Sequence, residues 1–176
     1  SLDKMLFYYY QKFEGESEPV LCAVIIVYVD DFLLTHDSRY DRNHLLKMFK
    51  WGSQNELTLE NSLDFKGKRI SLKHDRNNNE YTLKLDQEKF ISDMKGGTVP
   101  KKRHKETLDA SDLGEFRSVS GCLQWLAGQT RPDVAATVSL CSRGAKSTYE
   151  DLHNMYMAVE HLHQTKDHGL VLRPVP

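Results

Sequence analysis

The stretch "VIIVYVDDFLL", Val24–Leu34, limits what this chain can fold into more than any other. Val24 to Val29 is β-branched apart from Tyr28, and Phe32 to Leu34 is bulky and apolar, so both flanks favour half-buried strands. Between them stand two adjacent acids, Asp30 and Asp31, a residue type that strand interiors disfavour. So short a separation predicts a hairpin of Leu21–Val29 and Phe32–Thr35 with both acids at its tip. Neighbouring carboxylates repel each other there, and two readings stand open. In one, the acids form a solvated turn that keeps the hairpin soluble. In the other, they form a divalent-metal site, because carboxylates on a rigid apolar scaffold bind a hard cation and clamp phosphate oxygens.

The rest of the chain follows in the same terms. Met5–Gln11 is expected to be a strand joined to the hairpin through "EGESEP". Asp41–Trp51 places Leu45, Leu46, Met48 and Phe49 on roughly one face, with Asp41 as a cap, and predicts an amphipathic helix. Two alternating segments, Phe65–Lys73 and Glu80–Leu85, flank "HDRNNN" and predict a second hairpin. A short helix over Asp86–Met94 is expected to stop at Gly96 and Gly97. A linker with Pro100 and the basic run "KKRHK" follows, and then helices at about 112–128, 132–144 and 148–165, the second with Pro132 at its start. Strands first and helices last argue for an α+β chain. Trp51 and Trp125, on apolar helix faces, are expected in the core. Arg131 and Asp133 are expected in a structural pairing at a helix start. His153, His161, His163 and His168 are read as surface residues, since their spacing completes no zinc site.

Composition narrows the classes of function. The chain has 176 residues and a formal net charge of −1, so bulk charge points to no nucleic-acid partner, and such a site would have to be a local patch. The densest candidate is Lys101, Lys102, Arg103 and Lys105, read either as phosphate contacts or an import signal, or as a solvated loop. Cys22, Cys122 and Cys141 are odd in number and lack metal-ligand spacing, which fits reduced thiols in an intracellular protein of the cytoplasm or nucleus. No apolar run is long enough to span a bilayer, so no membrane partner is expected.

The residues also carry a resemblance. Tyr28-Val29-Asp30-Asp31 resembles the YVDD box of reverse transcriptases, and its surroundings resemble the Ty1/copia class of retrotransposon polymerases. Further stretches fall in that family's order: "DKMLFYY", "LDFKGKRISL", "YTLKLDQEKFISDM" and the long "VSGCLQWLAGQTRPDVAATVSLCSR", whose Thr130-Arg131-Pro132-Asp133 core is the most specific. "DLHNMYMAVEHLHQTKDHGLVL" completes a resemblance running from about Leu2 to Leu172.

The resemblance implies part of a right-hand polymerase fold. Residues 1–85 would hold an antiparallel palm-like sheet with the YVDD hairpin and a primer-grip-like hairpin, and residues 86–176 a thumb- or connection-like helical region. Asp30 and Asp31 would be the catalytic carboxylates and ligands of Mg²⁺ or Mn²⁺, with Tyr28 and Val29 near the nucleotide and primer end. Phe65, Lys66 and Gly67 would correspond to the primer grip, with Lys66 where the family carries an apolar residue. The partner would be an RNA/DNA template-primer. The family's other metal-binding Asp belongs to an earlier strand, and Asp3 stands too close to Asp30 to be it. The chain as it stands is therefore expected to be a polymerase fragment that is inactive alone. The alternative is a domesticated or decayed remnant serving as a non-catalytic interaction or structural module with unknown protein partners. Glu160 and its neighbouring histidines, where the family has an Arg-rich helix, lean toward that alternative.

Overall fold

A computed structural model describes residues 5–77 and 79–174, with Ala145 described by its backbone alone. The chain is α+β and divides into two compact units at Glu56/Leu57. Asp3 lies outside the described residues.

The first unit is a three-stranded antiparallel sheet in the order β1-β2-β3, formed by β1 (Leu6–Gln11), β2 (Val20–Tyr28) and β3 (Asp31–His36). Its register pairs Phe7 with Ile25 and Ile25 with Leu34, and Val27 with Phe32, which puts those residues on one face. Leu6, Val24, Ile26, Tyr28, Asp31 and Leu33 take the other. The register shifts between Tyr9 and Tyr10, where Cys22 is the extra residue of β2.

The expected helix over Asp41–Trp51 shrinks to one turn, α1 (Asn43–Leu46). Asp41 does accept a hydrogen bond from the Asn43 N–H at 3.0 Å. The Trp51 indole N–H, however, donates to the Leu46 carbonyl at 2.8 Å, where a helix would have continued. Trp51 then packs edge-on against Phe32 and Phe49, and Phe49 lies tilted against Phe32, with ring centroids 5.1 to 5.5 Å apart. Among the described residues of this unit, Cys22 and Ala23 alone are buried outright.

The second unit contains a four-stranded antiparallel sheet in the order β4-β5-β6-β7: β4 (Leu63–Phe65), β5 (Lys68–Asp75), β6 (Glu80–Asp86) and β7 (Leu170–Leu172). The expected segment Phe65–Lys73 is thus split by a turn at Lys66-Gly67, and the hairpin gains a strand on each side. β7 lies beside β6 because Gly169 has no side chain. A Cβ there would stand 2.2 Å from the Leu85 carbonyl oxygen. Cross-strand pairing lines up two aliphatic rows on one face, Leu63–Ile70–Leu85–Leu170 and Leu72–Leu83–Leu172. The opposite face carries Asp64, Arg69, Lys73, Lys84 and Asp86. There Asp86, fully buried, is held by Arg69 at 3.0 Å and Lys84 at 3.4 Å.

Four helices follow: α2 (Glu88–Asp93), α3 (Ala110–Ala127), α4 (Ala135–Cys141) and α5 (Tyr149–Gln164). α3 starts at Asp109, whose carboxylate accepts from the N–H groups of Ser111 and Asp112. α5 starts at a reciprocal box in which Thr148 and Asp151 each bond the other's backbone N–H. Pro132 opens a short 3₁₀ turn, Pro132–Val134, that runs into α4. Ile91, Phe116, Leu123, Leu126, Met155 and Val159 form the centre of the core. Trp125, expected there, is 38% exposed, because its neighbours Leu123 and Leu126 take the inward stripe of α3. The expected unit boundary at 85/86 falls inside this unit, since β6 leads directly into α2 and pairs with β7 from the chain's far end. No helix among the described residues is long and apolar enough to cross a membrane.

Thr130-Arg131-Pro132-Asp133 joins these helices. Arg131 is 2% exposed. Its guanidinium donates to both Asp133 carboxylate oxygens, at 2.9 and 2.6 Å, and to the Thr165 carbonyl and hydroxyl, at 2.9 and 2.7 Å. The Thr130 hydroxyl donates to Gln87 at 2.9 Å. Arg131, and after it His161, holds the Asp133 carboxyl down from 3.8 to about 2. A carboxyl depressed in the folded state adds stability that is present above its ordinary pKa and lost as pH falls through the folded value. Asp133 should therefore contribute about 1 kcal/mol after solvent screening, lost between about pH 4 and pH 2. Urea denaturation of the parent and Asp133→Asn across that range should show the parent losing its advantage on acidification.

Candidate functional site

Tyr28 pairs with Asp31 in the β2–β3 register, so the connection is the two residues Val29 and Asp30. Asp31 is thus the first residue of β3 rather than part of the tip, which corrects the expectation that both acids occupy it. A two-residue hairpin needs left-handed backbone at its first central residue, a place that usually goes to glycine. Here Val29 takes it, at φ 56°. A β-branched residue in that conformation is strained by about 1–3 kcal/mol. Val29 is also 78% exposed, so packing compensates little of the strain.

The strained turn sorts the side chains at the hairpin end. Val29 joins Val27, Phe32, Met48 and Phe49 along an apolar groove of about 340 Å³ on one face of the sheet. Asp31 shares the opposite face with Tyr28. Asp30 and Asp31 are both exposed, and neither carboxylate has a hydrogen bond or ion pair to a described residue. Two adjacent hard-oxygen donors open to water suit Mg²⁺ or Mn²⁺ chemically. Among the described residues no group of three or more His, Cys, Asp or Glu side chains converges on a metal position.

Phe65, Lys66 and Gly67 sit at a second tight turn. Lys66 at φ 51° and Gly67 at φ 69° give the two left-handed residues of a type I′ connection, and Phe65 pairs with Lys68 across it. Phe65 is half-buried, and Lys66 is exposed. Burial, and then the charge of Lys66, push the Lys68 ammonium below the usual lysine range. Lys68 lies 5.6 Å from the centroid of the exposed Trp125 ring.

The basic run folds as a 3₁₀ turn, Lys101–Arg103, and its members divide by role. Lys101, Lys102 and Lys105 are exposed and available to an anion. Arg103 has another task. It stacks 3.7 Å above the Tyr149 ring, donates to Glu106 at 3.0 Å and to the Tyr149 hydroxyl, and lies 3.9 Å from Asp112. Tyr149 donates in turn to Asp112 and Asp109. The Asp112 bond, followed by burial, pushes the phenol up to about 12. Arg103 is therefore a fastening between the turn, α3 and α5, and a phosphate would have to displace two carboxylates to reach it. Sequence reasoning missed this because neither Tyr149 nor Asp112 is near Arg103 in the chain. It missed the strain at Val29 because the residue type gives no sign of it.

Of the histidines expected at the surface, His161 meets Asp133 at 3.0 Å and His163 the Ile91 carbonyl at 2.9 Å. His153 is half-buried, with its ring 4.8 Å from that of His104. The candidate residues thus fall at three turns, one in the first unit and two in the second. Compared with known proteins, the chain matches no family model, no curated protein and no solved structure.

Replacing Val29 by glycine should relieve the backbone strain and stabilise the first unit by about 1 kcal/mol. Urea titration followed by Trp51 fluorescence in a Trp125→Phe background reads that unit selectively. An unchanged midpoint would mean that the turn carries no net strain.

Proposed function

We propose that the chain is the YVDD-bearing palm-and-thumb portion of a copia-type RNA-directed DNA polymerase. The observation that carries the reading is the turn itself, in which backbone strain at Val29 is tolerated while two carboxylates stand exposed and unengaged by described residues. Such strain marks positions selected for presentation rather than stability. A bound Mg²⁺ or Mn²⁺ pair would supply activation of a primer 3′-hydroxyl and charge neutralisation of the leaving pyrophosphate. Asp30 and Asp31 would hold that charge, and Tyr28, on the face of Asp31, would border the nucleotide. The turn at Phe65-Lys66-Gly67 would border the primer strand, with Lys66 contributing charge to the phosphates. Lys101, Lys102 and Lys105 remain as phosphate contacts in this reading, and Arg103 is withdrawn from it.

The second reading is a remnant acting as a non-catalytic module. It draws on one observation: the described residues provide no third ligand beside the two acids. Both readings predict that this chain alone fails to extend a primer on an RNA template with Mg²⁺ or Mn²⁺. Extension that disappears in Asp30→Asn would show that a complete site forms, with the missing ligand supplied by another copy.

The two readings part over the acids. In a retained half-site, a cation relieves the repulsion between Asp30 and Asp31 and stabilises the fold. Millimolar Mn²⁺ should then raise the melting temperature above that in NaCl of equal ionic strength, and Asp30→Asn should abolish the difference. Superimposable Mn²⁺ and NaCl curves for the parent would reject the half-site.

A further inference from the structure

The segment that follows the turn Lys101–Arg103 is strapped along the start of α5. The N–H groups of Tyr149 and Glu150 donate to the carbonyls of Glu106 and His104, at 3.1 Å each. Two consecutive residues thereby meet two α5 residues one helical turn apart: Arg103 stands over Tyr149, and His104 beside His153. The second contact joins two imidazoles whose ring centroids lie 4.8 Å apart, with their planes inclined at 32°. Both rings are half-buried, and both belong to the second unit. Nε2 of His104 is buried, with no hydrogen-bond partner among the described residues. A buried ring nitrogen left unpaired calls for an occupant, either water or an ion.

We propose that His104 and His153 form a two-histidine site for a divalent late transition-metal ion, with Zn²⁺ as the test ion. Neutral imidazole is the commonest protein ligand for such ions. Two imidazoles on one ion, with metal–nitrogen distances of about 2.0–2.1 Å and angles between square and tetrahedral, have ring centres roughly 4.5–5.2 Å apart. The observed 4.8 Å falls inside that range, so the backbone already spaces the rings for one ion. The site asks for two protein ligands, with water in the remaining positions; no group of three or more ligating side chains converges among the described residues. Arg103 and Lys105, on either side of His104, and the positive end of the α5 dipole oppose a dication, so binding is weak. Hard Mg²⁺ prefers oxygen and is not held. The spacing of the α5 histidines gives no sign of the site, because its other ligand comes from the segment ahead of α3.

Calorimetric titration of the metal-stripped whole chain with Zn²⁺ at neutral pH tests this, in a Cys122→Ser background that removes the one cysteine not buried. Binding of a single Zn²⁺ is expected, with a higher melting temperature because the ion clamps the strap to α5. His104→Ala and His153→Ala should each weaken binding by at least about tenfold, since loss of an outer-shell partner alone can do that much. His168→Ala, at an exposed histidine beyond α5, and Asp30→Asn should leave it unchanged. Circular dichroism checks that each variant folds, and His153→Gln replaces any alanine variant that does not. Four results would overturn the proposal: no Zn²⁺ binding by the parent, binding that survives both substitutions, binding lost with only one of them, or equal binding of Mg²⁺.

Discussion

One buried guanidinium organises the larger unit. Arg131 lies between the end of α3 and the start of α4, and its donors reach Asp133 on one side and Thr165 at the end of α5 on the other. A buried arginine is tolerated only when its donors are matched, and here the planar fork meets a carboxylate bidentately while the remaining reach satisfies a helix-end carbonyl. Thr130 extends the tie to Gln87, just ahead of α2. Three helices thereby take fixed positions around Ile91, Leu123, Met155 and Val159. The C-terminal end of α5 then delivers Gly169 and β7 to the edge of the sheet.

The smaller unit is built on a different balance. Its sheet is held by cross-strand pairing and an aromatic cluster of Phe32, Phe49 and Trp51, with almost nothing fully buried. A small sheet with so little core has stability to lose, and a strained valine at its hairpin end costs a noticeable part of it. That cost falls at the turn that presents Asp30 and Asp31, and this coincidence makes the hairpin the leading candidate site. Arg103 shows the reverse case. A residue in the most basic run of the chain is taken up by Tyr149, Glu106 and Asp112, so local charge density overstates the charge available to a partner.

Much of the architecture was legible in the residues because its causes are local. The β-branched apolar run in Val20–Tyr28, the alternation in Glu80–Asp86, the caps at Asp109 and Thr148, and Pro132 at a helix start all act within a few positions of the chain. The hairpin carrying the two acids follows from the same local rule. What the residues did not disclose depends on partners far away along the chain. Trp51 ends α1 by reaching Leu46, β7 exists only because β6 is there to pair with it, and Trp125 is left outward because Leu123 and Leu126 take the core. The placement of Asp31 on the strand, the strain at Val29 and the internal employment of Arg103 belong to the same class. Pattern and propensity act through neighbours in sequence, whereas register, burial and charge pairing act through neighbours in space, and only the folded chain brings those together.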